Sequence, residues 1–304
     1  MALAIENRYI WDFWYIRERD GFSVFFLNCD RKYHRNDQQH HHSVVGRAKT
    51  LDFVDFFDVE PDVFHATEDS WDNTSIWTGD TVDIAGERYL FYPSRDRRER
   101  DGTVQHIGVA KAVGSSFQRL NIKISATKGF YLEHSDPRER SIQCWRDPFV
   151  FFLEDRLYIL VAAKRDRSPI DHRGCIALLE TDSQLSDFRH IKVLLDTDFS
   201  EVELPQIYRT EKGSLRVFFN AKTAAGRKRF VVTKAFSSIT DEVAVDREIC
   251  TEDFERDRYY GFRIVPERNG AICAFDEQLG IVQVFSNVRS QNLGFGRLAS
   301  MKHS

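Results

Sequence analysis

The sequence has few cysteines, and they show no pattern. Five of them are spread over 304 residues, at positions 29, 144, 175, 250 and 273. An odd number at such wide spacing does not indicate a disulfide framework, and no CxxC pair suggests a metal site. We therefore expect free thiols in the protein interior, where unmodified cysteines are usually found.

The chain also lacks an excess of basic residues, with 43 Lys and Arg against 47 Asp and Glu and a formal net charge of -4. Nucleic acids and anionic membranes need positive charge to neutralise their phosphates. No stretch approaches the ~18 apolar residues of a membrane helix. Residues 1–8 lack the basic start and apolar run of a signal peptide. We expect a cytoplasmic protein that binds neither nucleic acid nor membrane.

Long helical periodicity is absent, and a weak internal repeat stands in its place. A turn followed by an aromatic-rich strand recurs at positions 21, 86, 155, 213 and 270, which are 65, 69, 58 and 57 residues apart. Further short apolar strands flank each hairpin, so each unit has four strands. The pattern predicts an all-β fold, a five-bladed β-propeller that fills residues 1–304 as a single domain. A β-sandwich or two stacked barrels would explain the repeat less well.

The first strand of each unit carries polar residues at a similar place. Since the innermost strands of a propeller line its channel, these residues should converge on one pocket. Three carboxylates among them, Asp12, Asp147 and Glu203, come from different units. One such carboxylate is ordinarily a strand-end cap, but three in register favour a shared site. Glycoside hydrolysis needs two carboxylates around the sugar, and their separation decides between retention and inversion.

At these residues the chain resembles glycoside hydrolase families 32 and 68, the clan of invertases, levanases, inulinases and levansucrases. The segment Trp11–Trp14 (WDFW) is similar to the levansucrase nucleophile motif WDSW. Cys144–Phe149 contains the RDP motif, and Glu203–Tyr208 is similar to the invertase ECPDLF and the levansucrase ERANVF. Trp77–Asp80 resembles the WSGS or FSGS segment of the clan. The motifs keep the order that they have in the family.

The resemblance implies a retaining hydrolase of β-fructofuranosides, such as sucrose, fructo-oligosaccharides or fructan. Asp12 would be the nucleophile, Glu203 the general acid/base and Asp147 the residue that holds fructose hydroxyls. Thr78 would hydrogen-bond the nucleophile, and Glu201 would support the acid/base. The remaining expected sugar contacts are Trp11, Trp14, Trp77, Arg146, Lys222 and Tyr260. Tyr260 is included only because of its position in the repeat, since no family motif covers it. No cofactor and no metal are expected for this chemistry.

Departures from the family pattern leave the substrate and the oligomeric state open. Leu204 replaces the arginine of the levansucrase DEIER motif, Arg47 replaces a histidine, and the β-sandwich of the invertase branch is missing. The alternatives are a fructosyltransferase, an arabinofuranosidase-type enzyme on the same propeller, and an inactive carbohydrate-binding propeller. Each tryptophan can instead pack between blades. The tract His40–His42 is expected to be a solvated loop and not a metal site, because consecutive side chains on an extended segment point to opposite faces.

Overall fold

The computed structural model describes residues 3–36, 38–139, 142–167, 169–223, 225–226, 228–249, 259–276, 280–285 and 295–296. These residues are almost entirely β-strand. One short α-helix, α1, spans Arg31–His34, and the 3₁₀ turns are Gln39–His41, Arg100–Gly102, Ile170–His172 and Pro266–Arg268. No helix of the described residues has the length and apolarity needed to cross a bilayer.

The strands form five antiparallel sheets that follow one another along the chain. The first contains β1 (Arg8–Glu18), β2 (Gly21–Asp30), β3 (Val44–Thr50) and β4 (Phe56–Phe64). The second contains β5 (Asp80–Ile84), β6 (Glu87–Arg95), β7 (Gln105–Val113) and β8 (Ser116–Ile124). The third contains β9 (Trp145–Leu153), β10 (Arg156–Lys164), β11 (Gly174–Thr181) and β12 (Phe188–Asp196). The fourth contains β13 (Glu201–Thr210), β14 (Leu215–Lys222), β15 (Lys228–Thr233) and β16 (Val245–Glu248), with β20 (Phe295–Gly296) beside β13. The fifth contains β17 (Tyr259–Val265), β18 (Ala271–Asp276) and β19 (Gly280–Phe285).

The sheets are the blades of a five-bladed β-propeller, which confirms the predicted fold. The first strands of the blades contact each other in a closed order, β1 with β5, β5 with β9, β9 with β13, β13 with β17, and β17 with β1. They are therefore the innermost strands. Residues from distant parts of the chain meet where these strands surround the central channel.

The predicted hairpin turns join the first two strands of each blade. In Ala85–Gly86, Glu154–Asp155 and Asn269–Gly270 both central residues have positive φ, between 51° and 82°. This conformation matches the twist of the flanking strands and is easiest for glycine. Glu154 and Asp155 adopt it without glycine, so pairing of β9 with β10 imposes the conformation there.

The apolar core lies between neighbouring blades because the centre of the ring is a channel. Phe91 of the second blade and Trp145 of the third belong to one such cluster. The first and last blades are joined by Leu3 and Ile281, whose backbone groups exchange hydrogen bonds of 3.1 and 3.3 Å. The described cysteines are free and buried, as predicted: Cys29, Cys144, Cys175 and Cys273. Cys250 lies outside the described residues.

Candidate active site

A β-bulge interrupts the innermost strand of four blades at the residues predicted to line the channel. Asp12 is the extra residue in β1. The register shifts in the third, fourth and fifth blades occur at Asp147, Leu204 and Gly261, whose φ angles are 53°, 51° and 65°. A bulge bends its strand and redirects a side chain. The repeated bulge therefore accounts for the equivalent positions of Asp12 and Asp147 in their blades.

The bulged strands surround a cavity of about 230 Å³. Asp12 of the first blade, Asp147 of the third and Glu203 of the fourth all line it. The structure thus brings the three predicted carboxylates to one site. The other predicted residues in its wall are Trp11, Trp77, Thr78, Arg146, Lys222 and Tyr260.

Two residues of the predicted site, Trp14 and Glu201, do not line this cavity. Trp14 is only 1% exposed. Its indole donates a hydrogen bond of 2.8 Å to Thr81 Oγ1 and stacks on Phe25. The prediction for Trp14 is wrong, because the residue lies beyond the bulge, where β1 packs against β5. Glu201 is buried behind the wall and faces Arg146, at 2.8 Å.

The carboxylate of Asp12 has one bonded oxygen and one available oxygen. Thr78 Oγ1 donates to Asp12 Oδ2 at 2.7 Å, which is the contact that the family resemblance implies. Asp12 Oδ1 is buried and has no hydrogen-bond partner among the described residues. Burial raises the pKa of Asp12, and the charge of Glu203 adds to this effect, whereas the Thr78 bond and Arg263 oppose it.

Glu203 is held by two cations. Lys222 Nζ donates to Glu203 Oε1 at 2.7 Å, and Arg146 Nη2 donates to the same oxygen at 2.9 Å. Within the described part of the chain, Glu203 Oε2 is buried without a hydrogen-bond partner. Burial opposes ionisation, but the two cations outweigh it, so the pKa of Glu203 lies below its usual range.

Asp147 is a buried carboxyl group that retains its proton more readily than an exposed aspartate does. It is 3% exposed, and its Oδ2 accepts a hydrogen bond of 3.0 Å from the backbone of Leu204. Burial raises the pKa of Asp147 to about 7, with Glu203 and Asp12 adding to the effect and Arg146 opposing it. Burial therefore favours a proton on Asp147 and Asp12, whereas the two cations disfavour one on Glu203.

A chain of buried charges of alternating sign supports the cavity from behind. Arg146 lies between Glu203 and Glu201. Glu201 is 3.6 Å from Lys164 Nζ, Lys164 pairs with Glu139, and Glu139 is 2.7 Å from Arg173. Each buried charge faces an opposite one, which is the condition under which such groups are tolerated in an interior. The chain fixes the position of Arg146.

Sequence reasoning missed part of the cavity wall, namely Tyr9, Leu27, Gln39, His40, Lys228 and Phe275. Tyr9 precedes Trp11 by two positions in β1, so the period of a strand could have identified it. Lys228 pairs with Lys222 across β14 and β15, which becomes visible only with the register. His40–His42 are exposed, as expected of a solvated loop, and His40 also lines the cavity, which the sequence did not indicate. Among the residues that the structure describes, no group of three or more His, Cys, Asp or Glu side chains has an arrangement that could hold a metal ion.

The family model for the N-terminal domain of glycosyl hydrolases family 32 matches residues 15–261. The match includes Asp147 and Glu203 and begins just after Asp12. No curated protein sequence matches the chain.

The fold is similar to that of several solved sugar enzymes. Levansucrase from Bacillus subtilis has a TM-score of 0.65 at 13% identity, covering 93% of this chain and 82% of that one. An endo-arabinase from Bacteroides thetaiotaomicron has a TM-score of 0.62 at 13% identity, covering 91% and 94%. A GH32 β-fructofuranosidase from Bombyx mori has a TM-score of 0.63 at 12% identity, covering 88% and 56%. Identity at this level shows the fold alone. Because the family model spans most of the sequence, the chain belongs to glycosyl hydrolase family 32, by its N-terminal domain.

Proposed function

We propose that this protein is a retaining glycoside hydrolase that releases fructose from β-fructofuranosides. The observation that carries the proposal is the convergence of Asp12, Asp147 and Glu203 on one cavity. The hydrogen bond from Thr78 to Asp12 supports the role of Asp12 as nucleophile, because it fixes one carboxylate oxygen and leaves the other free to attack. Membership of glycosyl hydrolase family 32 supports a glycosidase-type reaction.

Asp12 Oδ1 and Glu203 Oε2, which have no hydrogen-bond partner within the described residues, would take part in the reaction. Asp12 Oδ1 attacks the anomeric C2, and Glu203 Oε2 delivers a proton to the leaving oxygen, so that a covalent fructosyl-enzyme forms. Water then attacks C2, gives a proton to Glu203 and restores the Asp12 carboxylate. Asp147 binds ring hydroxyls, and these hydrogen bonds lower the barrier if they strengthen in the transition state.

The mechanism requires ionised Asp12 and protonated Glu203, whereas burial favours a protonated Asp12 and the neighbouring cations favour an ionised Glu203. Since the carboxyl groups titrate as a coupled set, the productive form is one protonation state of that set. A leaving-group oxygen that inserts between Lys222 and Glu203 weakens the ion pair and raises the pKa of Glu203. Substrate binding thereby moves the proton to the group that uses it.

The direct test is incubation of the purified protein with sucrose, inulin, levan and short fructo-oligosaccharides. We expect the wild type to release fructose, and Glu203→Gln to lower the rate about 10²–10⁴-fold, the usual contribution of a general acid. Asp12→Asn should abolish turnover, because an amide cannot form the covalent intermediate. Equal rates for the wild type and both variants would exclude the assigned roles.

Retention has a separate test. In water containing methanol, a retaining enzyme transfers the fructosyl group to methanol and gives methyl β-D-fructofuranoside, which NMR distinguishes from the α anomer. Formation of the α anomer as the first product would exclude the covalent mechanism. Products longer than the substrate would instead identify fructosyl transfer.

The second candidate is an arabinan-degrading activity, which the similarity to an endo-arabinase of nearly the same extent favours. Release of arabinose from arabinan or a chromogenic arabinoside, without release of fructose from any fructoside, would decide for it. Calorimetric binding of a sugar that is never cleaved would identify an inactive carbohydrate-binding propeller.

A further inference from the structure

The 3₁₀ turn Gln39–His41, between β2 and β3, forms one wall of the cavity. The carbonyl oxygen of His40 accepts three hydrogen bonds, from Ser75 Oγ at 2.8 Å, Trp77 Nε1 at 3.1 Å and Arg95 Nη2 at 3.0 Å. Two of these donors immediately precede β5 and the third ends β6. The turn of the first blade is therefore fixed to the second blade, and its side chains are presented in a defined position.

The imidazole of His40 lies among the aromatic and charged residues of the cavity. Its ring centroid is 6.1 Å from that of Trp11 and 5.3 Å from that of Trp77. Burial lowers the pKa of His40 to about 4, and Arg146 and Lys222 contribute in the same direction while Glu203 opposes them. The ring is thus neutral at pH 7, with one nitrogen that donates and one that accepts a hydrogen bond.

Gln39 adds a second polar group to the same wall. Its side-chain Oε1 is buried and has no hydrogen-bond partner in the described ranges of the chain. A buried amide oxygen without a partner loses the hydrogen bonds that it would make in water. A hydroxyl group of a bound ligand would restore such a bond.

We infer that Gln39 and His40 form the subsite for the leaving group, where they bind hydroxyls of the sugar unit attached to the fructosyl ring. The inference rests on the proposed function, which places proton delivery at Glu203. The ring centroid of Trp77 is 5.3 Å from that of His40 and 5.8 Å from the Arg146 guanidinium. Arg146 in turn donates a hydrogen bond to Glu203. His40 therefore lies on the side of the cavity where Glu203 would protonate the leaving oxygen. A neutral imidazole and an amide suit an uncharged saccharide unit.

The test compares substrates that share the fructosyl unit and differ in the leaving group. For His40→Ala we expect kcat/KM to fall about tenfold with sucrose and inulobiose, the effect of losing one or two hydrogen bonds. With methyl β-D-fructofuranoside, which lacks the second sugar, it should change less than about twofold. Gln39→Ala should behave in the same way. The matched control is His41→Ala, on the same turn but outside the cavity wall.

Equal losses for all substrates, or no loss for any, would overturn the inference. If His40→Ala fails to fold, as judged by its circular dichroism, His40→Asn and Gln39→Ala carry the test. If the wild type releases no fructose from sucrose, inulobiose or methyl β-D-fructofuranoside, the proposed function is contradicted. In that case, sugar affinities measured by calorimetry test the subsite separately. The wild type should bind sucrose more tightly than methyl β-D-fructofuranoside, and His40→Ala should remove the difference. Equal affinities in the wild type would overturn the inference.

Discussion

Lys222 Nζ lies 2.7 Å from Glu203 Oε1, and this ion pair keeps the proposed acid in its ionised form. The residue at position 222 therefore controls the protonation of the group that must donate a proton. The pH dependence of kcat/KM should therefore report the protonation of Glu203.

Lys222→Gln should move the alkaline limb of the pH profile of kcat/KM to higher pH. The reason is that loss of the positive charge raises the pKa of Glu203, so the acid stays protonated over a wider range. We expect a shift on the order of one pH unit, measured with a fructoside substrate. Lys212→Met, an exposed lysine in the hairpin turn of the same blade, is the control. An unchanged alkaline limb would mean that Glu203 is not the acid.

Asp147→Asn should increase stability at alkaline pH while it abolishes most of the activity. The folded-state pKa of Asp147, about 7, is raised from an ordinary value of 3.8. Its contribution is therefore most favourable below about pH 4 and is lost as the pH rises through 7. At pH 8 the variant should be more stable by on the order of 2 kcal/mol, and the difference should disappear near pH 4.

Urea denaturation of both proteins at the two pH values measures this difference. The exposed Asp187→Asn should show none of it. A variant that is less stable than the wild type at pH 8 would contradict the burial cost assigned to Asp147.

Gly261→Ala should lower both stability and activity. A Cβ atom at this position would lie 3.1 Å from Asp12 Oδ1, the proposed attacking oxygen, and the backbone has a φ of 65°. We expect a loss of about 1 kcal/mol from backbone strain and a fall of about tenfold in kcat/KM from obstruction of Asp12. Gly213→Ala is a matched control, since its φ is 86° and nothing lies within 4 Å of the added atom. If both variants kept full activity, Asp12 Oδ1 would not be the reacting atom.

Lys164→Met should destabilise the fold by about 3 kcal/mol, because it leaves Glu139 and Glu201 with less opposing charge in the interior. Adding Glu139→Gln should restore part of the loss, since it removes one of the two negative charges that the Lys164 substitution leaves without their cation. A double-mutant cycle by urea denaturation measures the coupling. Additive effects would show that the charge chain does not act as a unit.

Much of the fold and part of the site follow from local features of the chain. The hairpin turns at Gly86 and Gly270 and the aromatic strands beside them depend on neighbouring residues, so they could be identified and counted into five blades. Asp12, Asp147 and Glu203 were found because a repeated fold places equivalent positions on the same inner strands. In a repeated fold, residues at equivalent positions of successive repeats lie close together in space although they are far apart in sequence.

Which side chains face the cavity, and in what charge state, depends on how the blades pack against each other. Trp11 and Trp14 belong to one motif, yet the bulge at Asp12 leaves the first in the cavity wall and the second in the core. His40 enters the site through hydrogen bonds to another blade. Register shifts, contacts between blades and burial depend on residues far apart in sequence, so no local pattern encodes them. Local sequence patterns are enough to specify the repeat and the equivalent positions of the acidic residues, whereas packing between blades sets the chemistry that these residues can perform.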